Sequence, residues 1–491
     1  MSPEAVDHGS TSKSGKPTKG TVSSTGGVQG RGSRFYLNIT GFPFPLGPWI
    51  ERNTVRRQVE KDVWLFEQTQ AIEAFDVYTP VRMTVIKLKS GGLWVHGPIA
   101  PTQECVRLIR ELNAPVEYIV LGTFAYEHKI FVAPFSREFP NAQVYLNPYQ
   151  WSFPLNLPPQ LLGIFPAGEL KSDDPTVPWA GEIDQKLFLP PSIGVGDYVR
   201  FTETAFFHRR SRSLIVTDAV VFVPEDPPEV IPLPALLENA RDNFLARFVS
   251  GGLSGEEVAA IARPEEVENT RESRRRGWMR MALLVLYFSP SNLLRPEESF
   301  AAVSNRLMVA PVVESLVYSR LPRTVTTWVD EIVAEWDFQQ IIPCHFDAPI
   351  KAGPAQFQRA FAASYKARAE LEEMEDMQSQ GTGSGGNGGG GGGSSRGGSS
   401  SSPQQRRGSM DAEAAGGGGF ASGLALLGQL GTGLVESLKA AMDARRATPI
   451  PFPEADMQAL NRINDGLTGT GLVKRYGDAP RVNGKGAGSR A

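Results

Sequence analysis

Residues 116–121, VEYIVL, form a nearly unbroken apolar run, and a strand that is apolar on both faces has to be covered on both faces. The flanking segments show what does the covering. Upstream, VWLFEQ (63–68), MTVIKLK (83–89) and LWVHGP (93–98) are short β-rich runs, the last two joined through Ser90-Gly91-Gly92, a hairpin signal. PTQECVRLIREL then sets Cys105, Leu108, Ile109 and Leu112 at i, i+3, i+4 and i+7 behind Thr102, which can cap an amphipathic helix. AQVYLN (142–147) resumes strand character after the turn-like FPN. Hairpin, helix, buried strand, loop and second strand describe an α/β body.

Further along, residues 150–190 are rich in Pro and predict an irregular surface wrap. KLFLPP, YVRFTETAFFH and SLIVTDAVVFV restore the strand pattern, and residues 235–320 predict a mainly helical insert. VTTWVDEIVAEW places Val325, Trp328, Val329, Ile332, Val333 and Trp336 on one helical stripe, and QQIIPCHF is the last strand.

Two stretches lack the apolar residues needed to offset the entropy of ordering. Residues 1–33 predict a disordered tail, and 376–419, dominated by Gly and Ser, predict a flexible linker. The folded body is therefore expected over 34–375, followed by a short helical piece within 420–445 and a polar tail to 491.

With 50 basic against 53 acidic residues, the net charge of -3 supplies no field that would gather polyanions, so nucleic acid is not an expected partner. The one basic run, RESRRR (271–276), is expected to be a solvated helix end. Cys105 and Cys344 are too few for a disulfide framework or a Cys-rich zinc motif, which fits a reducing compartment. MALLVLYF (281–288) is short of the roughly 20 residues that span a bilayer, so a soluble protein with at most peripheral membrane contact is expected. The N-terminus has no secretory hydrophobic core; its Ser-rich, weakly basic character suits an organelle transit peptide, while Glu4 and Asp7 do not.

Three segments leave the end of an apolar strand and at once present a potential metal ligand: Glu127-His128 after YIVLG, Asp218 after SLIVT, and His345 after IIPC. In α/β sheets, sites gather beyond the carboxyl ends of strands, where residues distant in sequence converge. Two imidazoles and two carboxylates suit one divalent ion such as Zn, Fe or Mn, with room for an activated water. The alternative is a metal-free cluster in which the two histidines hydrogen-bond the two carboxylates, because buried polar groups need partners in either case.

The order of these segments resembles the metallo-β-lactamase fold, an αββα sandwich. More closely, RMTVIKLKSGGLWVHGPIAPTQEC (82–105), EHKIFVAPFSREFPNAQVYLNPYQWSFPL (127–155) and SRSLIVTDAVV (211–221) are similar to a plant and algal family known as domain of unknown function 4336. The resemblance covers about residues 40–360 and brings no established reaction. The lactamase loop H-x-H-x-D-H falls on Thr123 to His128: its first two histidines are replaced by Thr123 and Ala125, its aspartate by Glu127, and its last histidine is His128. Asp218 and His345 fall where that fold places its bridging aspartate and final histidine. The resemblance thus implies half of a two-metal site, and a chloroplast location rather than a cytoplasmic one.

Other residues carry weaker expectations. His208 could be a further ligand or a surface residue, His96 a structural histidine beneath the cleft, and Asp347 a partner orienting His345. Cys344 and His345, adjacent on an extended strand, should point to opposite faces and not form a nucleophile and base. Two functions from different classes remain: a mononuclear metal-dependent hydrolase of an unknown small-molecule substrate using a metal-bound water, or a non-catalytic binding or assembly module with a protein partner.

Overall fold

The computed structural model describes residues 34–37, 49–72, 77–150, 157–194, 200–243, 246, 266–287, 290–382 and 451–477 except 472 and 476. The tail expected at 1–33, the linker from 383 onward and the helical piece expected at 420–445 lie outside the described residues. The chain divides into one compact unit running to Glu370 and resuming at Phe452, and a second, Leu371–Pro451. Of the second, residues 371–382, the end of a helix (Ala362–Thr382), and Pro451 are described.

Two large sheets, beside two small two-stranded ones, build the first unit among the described residues. A seven-stranded sheet runs in sequence order: Val55–Glu60, Val63–Ile72, Val77–Lys87, Leu93–His96, Val116–Leu121, Gln143–Leu146 and Gly168–Glu169. Its first strands pair antiparallel, through the turn where Gly91 takes φ 94°, and from Leu93–His96 onward the pairs are parallel. Parallel neighbours need crossovers. The helices Gln103–Arg110, capped by Thr102 on the Cys105 amide, and Tyr126–Glu138 supply the first two. A five-stranded sheet orders Ile183–Phe188, Glu203–His208, Ser213–Ile215, Gln340–Ile342 and Ile350–Lys351, with Ser213–Ile215 parallel to Gln340–Ile342.

The two-residue side-chain period sorts each strand into layers. Met83, Val85, Val95, Ile119 and Leu121 face Cys105, Ile109, Val132 and Phe135 of the two crossover helices. Val63, Leu65, Ile86, Trp94 and Val120, on the opposite face, meet Phe206, Ile215 and Ile342 of the second sheet. Ala205, Phe207, Leu214, Val216 and Ile341 turn outward onto Val325, Trp328, Val329 and Ile332 of the helix Pro322–Glu335. The result is helix, sheet, sheet, helix, an αββα sandwich.

Some other parts of the chain depart from the sequence reading and others, the helical insert among them, follow it. The Pro-rich stretch supplies an edge strand, Gly168–Glu169, and leads into Ile183–Phe188, so within its described residues it is more than a wrap. SLIVTDAVVFV is divided: Ser213–Ile215 belongs to the second sheet, whereas Val221–Phe222 pairs with Leu307–Met308. Helices Leu233–Ala240, Arg271–Tyr287, Glu297–Val303 and Pro311–Leu316 pack around Trp278, Met281 and Leu283. Three of the four arginines in the basic run opening the second of these pair with acidic neighbours: Arg271 with Asp226, Arg275 with Glu225 and Arg276 with Asp242. Among the described residues, no helix is long and apolar enough to cross a membrane. The expected polar tail holds a 16-residue helix, Glu454–Gly469, which forms part of the first unit.

Candidate metal centre

Each of the three ligand-bearing segments leaves a strand at the same end of the sandwich. Gly122 follows Leu121 because nothing larger fits: a Cβ there would lie 2.8 Å from the Phe206 ring and 3.0 Å from His96 Nε2. The Thr204 amide then donates to the Gly122 carbonyl at 2.8 Å, and Thr123 bridges Glu203 across the sheets. The Thr123 hydroxyl accepts the Ala125 amide at 3.0 Å, immediately before the chain turns into the helix Tyr126–Glu138. Glu127 and His128 therefore sit in the first turn of a helix, not in a loop after the strand.

Asp218 is held by a residue that motif reading passed over. Glu203 Oε1 accepts the amides of Thr217, Asp218 and Ala219 at 2.7, 3.1 and 3.2 Å. Three N–H donors on one carboxylate oxygen fix the backbone of the Asp218 turn. Glu203 is itself fully buried, and burial with the adjacent Asp218 charge raises its pKa despite those donors. Burial also raises Asp218, which His345 draws back down and Glu127 pushes up again.

His345 is aimed by two devices. Val81 bridges it across the sandwich, and its Nδ1 donates to the Pro80 carbonyl at 2.9 Å, which directs the Nε2 lone pair toward His128 and Asp218. Arg82, 1% exposed, straddles the turn: Nη1 donates to the Pro343 carbonyl, Nη2 to the Phe346 carbonyl, and Nε to Glu67 Oε1 at 2.7 Å. Asp347 does not orient the imidazole. Its Oδ1 accepts the Ala348 amide, and the Pro80 carbonyl takes the role expected of it.

The four groups converge. One ligand atom from each of Glu127, His128, Asp218 and His345 lies within 4.8 Å of all the others. His128 Nε2 stands 3.2 Å from His345 Nε2, and His345 Nε2 stands 3.5 Å from Asp218 Oδ1. Ligands at about 2.0–2.1 Å from a tetrahedral ion are separated by about 3.3 Å, so both spacings fit a shared cation. His128 is fully buried; burial, with His345 and His96 beside it, depresses its pKa far below the ordinary imidazole value. It stays neutral, as a ligand must. The donor set therefore fits a divalent ion. His345 and Asp218 keep 12% and 15% of their side-chain surface, leaving one side reachable from solvent.

The remaining candidates are not among the converging ligands. His208 occupies the far end of its strand from Glu203, where Nδ1 meets the Ser211 hydroxyl at 2.7 Å. His96 is buried between Trp94 and Phe206, its pKa lowered by burial to about 3, a structural histidine. Cys344 points inward, its Sγ 4.0 Å from His96 Nδ1, while His345 faces the site. At the two positions where a second ion's histidines would stand, the Thr123 hydroxyl is engaged by the Ala125 amide and Ala125 has no side-chain donor atom to offer a metal.

Several solved structures are similar to this chain. A metallo-β-lactamase from Pontibacter korlensis matches at 9% identity and TM-score 0.33, covering 63% of this chain and 99% of that one. A metallo-β-lactamase from Hirschia baltica matches at 9% identity and TM-score 0.32, covering 63% and 97%. The metal-soaked Flv1 flavodiiron core from Synechocystis sp. PCC6803 matches at 11% identity and TM-score 0.34, covering 64% and 61%. At these scores the likeness carries nothing about activity, and the αββα layering stands on the chain's own sheets. No curated protein matches the chain. The family described as Domain of unknown function (DUF4336) matches residues 60–299 and 294–363, and the chain belongs to it.

Proposed function

We propose that this protein holds one divalent cation through Glu127, His128, Asp218 and His345 and acts as a mononuclear metal-dependent hydrolase. The convergence of these four ligand atoms within 4.8 Å carries the reading. A bound ion would supply Lewis acidity, polarising an ester, thioester or phosphodiester and lowering the pKa of water beside it. The chain's own groups do the rest. His128 is kept neutral and dry by burial, His345 is held in one tautomer by the Pro80 carbonyl, and Asp218 is pinned through the amide donors to Glu203. The side left open at Asp218 and His345 is where a small-molecule substrate would approach.

The test is a screen of esters, thioesters and phosphodiesters with protein loaded separately with Zn, Fe and Mn, against His345→Ala. Turnover that depends on the loaded ion and disappears in His345→Ala supports a hydrolase. A tightly held ion with no turnover of any of these classes would leave a metal-containing binding module and remove the enzymatic part of the proposal.

A further inference from the structure

The helix Glu454–Gly469 lies C-terminal to a Gly- and Ser-rich stretch, yet it belongs to the same compact unit as the body and packs there through specific contacts. Its contacts lie on one face, at Asp456, Leu460, Asn464 and Thr468, each four residues after the last. Near the N-terminus, Asp456 Oδ1 accepts the Ser291 amide at 2.7 Å and the Ser291 hydroxyl at 2.6 Å, and Asp456 is fully buried. Leu460, also fully buried, enters the core beside Trp278, Met281 and Tyr287. Phe452 precedes the helix and packs its ring edge-on to Tyr287 and beneath the Arg306 guanidinium at 4.7 Å.

The C-terminal half is read by Arg320, 2% exposed. A guanidinium has five N–H donors. Here Nε donates to the Leu316 carbonyl, Nη1 to Thr468 Oγ1 and the Lys474 carbonyl, and Nη2 to both the carbonyl and the Oδ1 of Asn464. Four of these five acceptors belong to the 452–477 segment, so nearly every donor of Arg320 is committed to it. With Ser291 at the Asp456 end and Arg320 at the Thr468 end, the helix is held in one direction along the groove. Beyond the helix, the Lys474 amide donates to the Ile193 carbonyl at 2.8 Å and the Gly477 amide to the Arg320 carbonyl at 2.7 Å.

We infer that the groove bounded by Tyr287, Ser291, Arg320 and Ile193 is a helix-recognition site for the stripe Asp-x3-Leu-x3-Asn-x3-Thr, which the chain's own 452–477 segment occupies as a separable ligand. Along the stripe from Asp456 to Thr468 the groove is polar at Ser291, apolar at Trp278, Met281 and Tyr287, and charged at Arg320. The inference is independent of the metal reading.

A protease site placed in the Gly- and Ser-rich stretch of the full chain tests it. After cleavage, the C-terminal fragment should co-elute with the body on size exclusion and exchange for excess labelled 452–477 peptide. The same peptide carrying Leu460→Asp should neither exchange nor displace it. Separation of the fragment on cleavage, failure of the unaltered peptide to exchange, or equal exchange by the Leu460→Asp peptide would each overturn the inference. Because the substitution is in the peptide, the two peptides are compared on the same body, and circular dichroism of the cleaved body checks that it stays folded.

Discussion

Replacing Arg82 with Met would test how the fold aims its candidate ligands. Arg82 is 1% exposed and its guanidinium joins Glu67 to the Pro343 and Phe346 carbonyls that flank Cys344 and His345. Burial raises the Glu67 pKa, but Arg82 and Arg57 more than offset this and hold the carboxyl below its ordinary value. Removing one partner of a buried ion pair costs about 3–5 kcal/mol. Arg57, 2.7 Å from the same oxygen, remains, so the lower end, about 3 kcal/mol, is expected. Adding Glu67→Gln should return about 1–2 kcal/mol by removing the buried charge. Urea denaturation in chelator measures this, and competition with a metal-binding dye measures the second effect, a 10–100-fold weaker affinity as the His345 turn loosens. Arg82→Lys should keep the charge but not the fork that spans two carbonyls and a carboxylate, and so weaken affinity as well. A stable Arg82→Met protein with undiminished affinity would refute the reasoning.

Glu314 gives a pH dependence: burial lifts its carboxyl from 4.5 to about 7, with the Ser364 hydroxyl pulling the other way. The folded state keeps the proton after the unfolded chain has lost it, so this contribution to stability should fall as pH rises from about 4.5 to about 7, by about 3 kcal/mol in all. Glu314→Gln should flatten that slope in urea melts from pH 5 to 8, and an unchanged slope would contradict it. Gly122→Ala should destabilise by about 1–3 kcal/mol in thermal or urea melts, because its methyl meets the Phe206 ring at 2.8 Å with His96 behind it. A neutral substitution would mean that this junction yields more readily than its packing suggests.

The layers were legible because the side-chain period of a strand is two: residues 63–66, 83–86, 93–95 and 119–121 split between faces as their apolar pattern requires. The four site residues could be singled out because each follows such a strand. Their supports could not. Glu203, Arg82 and the Pro80 carbonyl act across separations of as many as 265 residues, and no local spacing encodes them. The helix carrying Glu127 and His128 was missed for a local reason: Ala125 gives no side-chain cap and Pro134 lies inside the helix, so neither start nor interior has a helical signature. The helix Glu454–Gly469 escaped because its recognition stripe is mostly polar, with Leu460 alone in the middle of it.

The central claim is that side chains from separate segments share one cation. Metal per chain, measured on protein purified without added metal and on His128→Ala and His345→Ala, tests it most directly, with melting temperature recorded before and after chelation. The account predicts one equivalent in the parent, little in either variant, and a lower melting temperature once the metal is stripped, since a ligand bound only by the folded state stabilises it. A parent chain that takes up no divalent ion, even when one is offered in excess, and melts identically with and without chelator would contradict it.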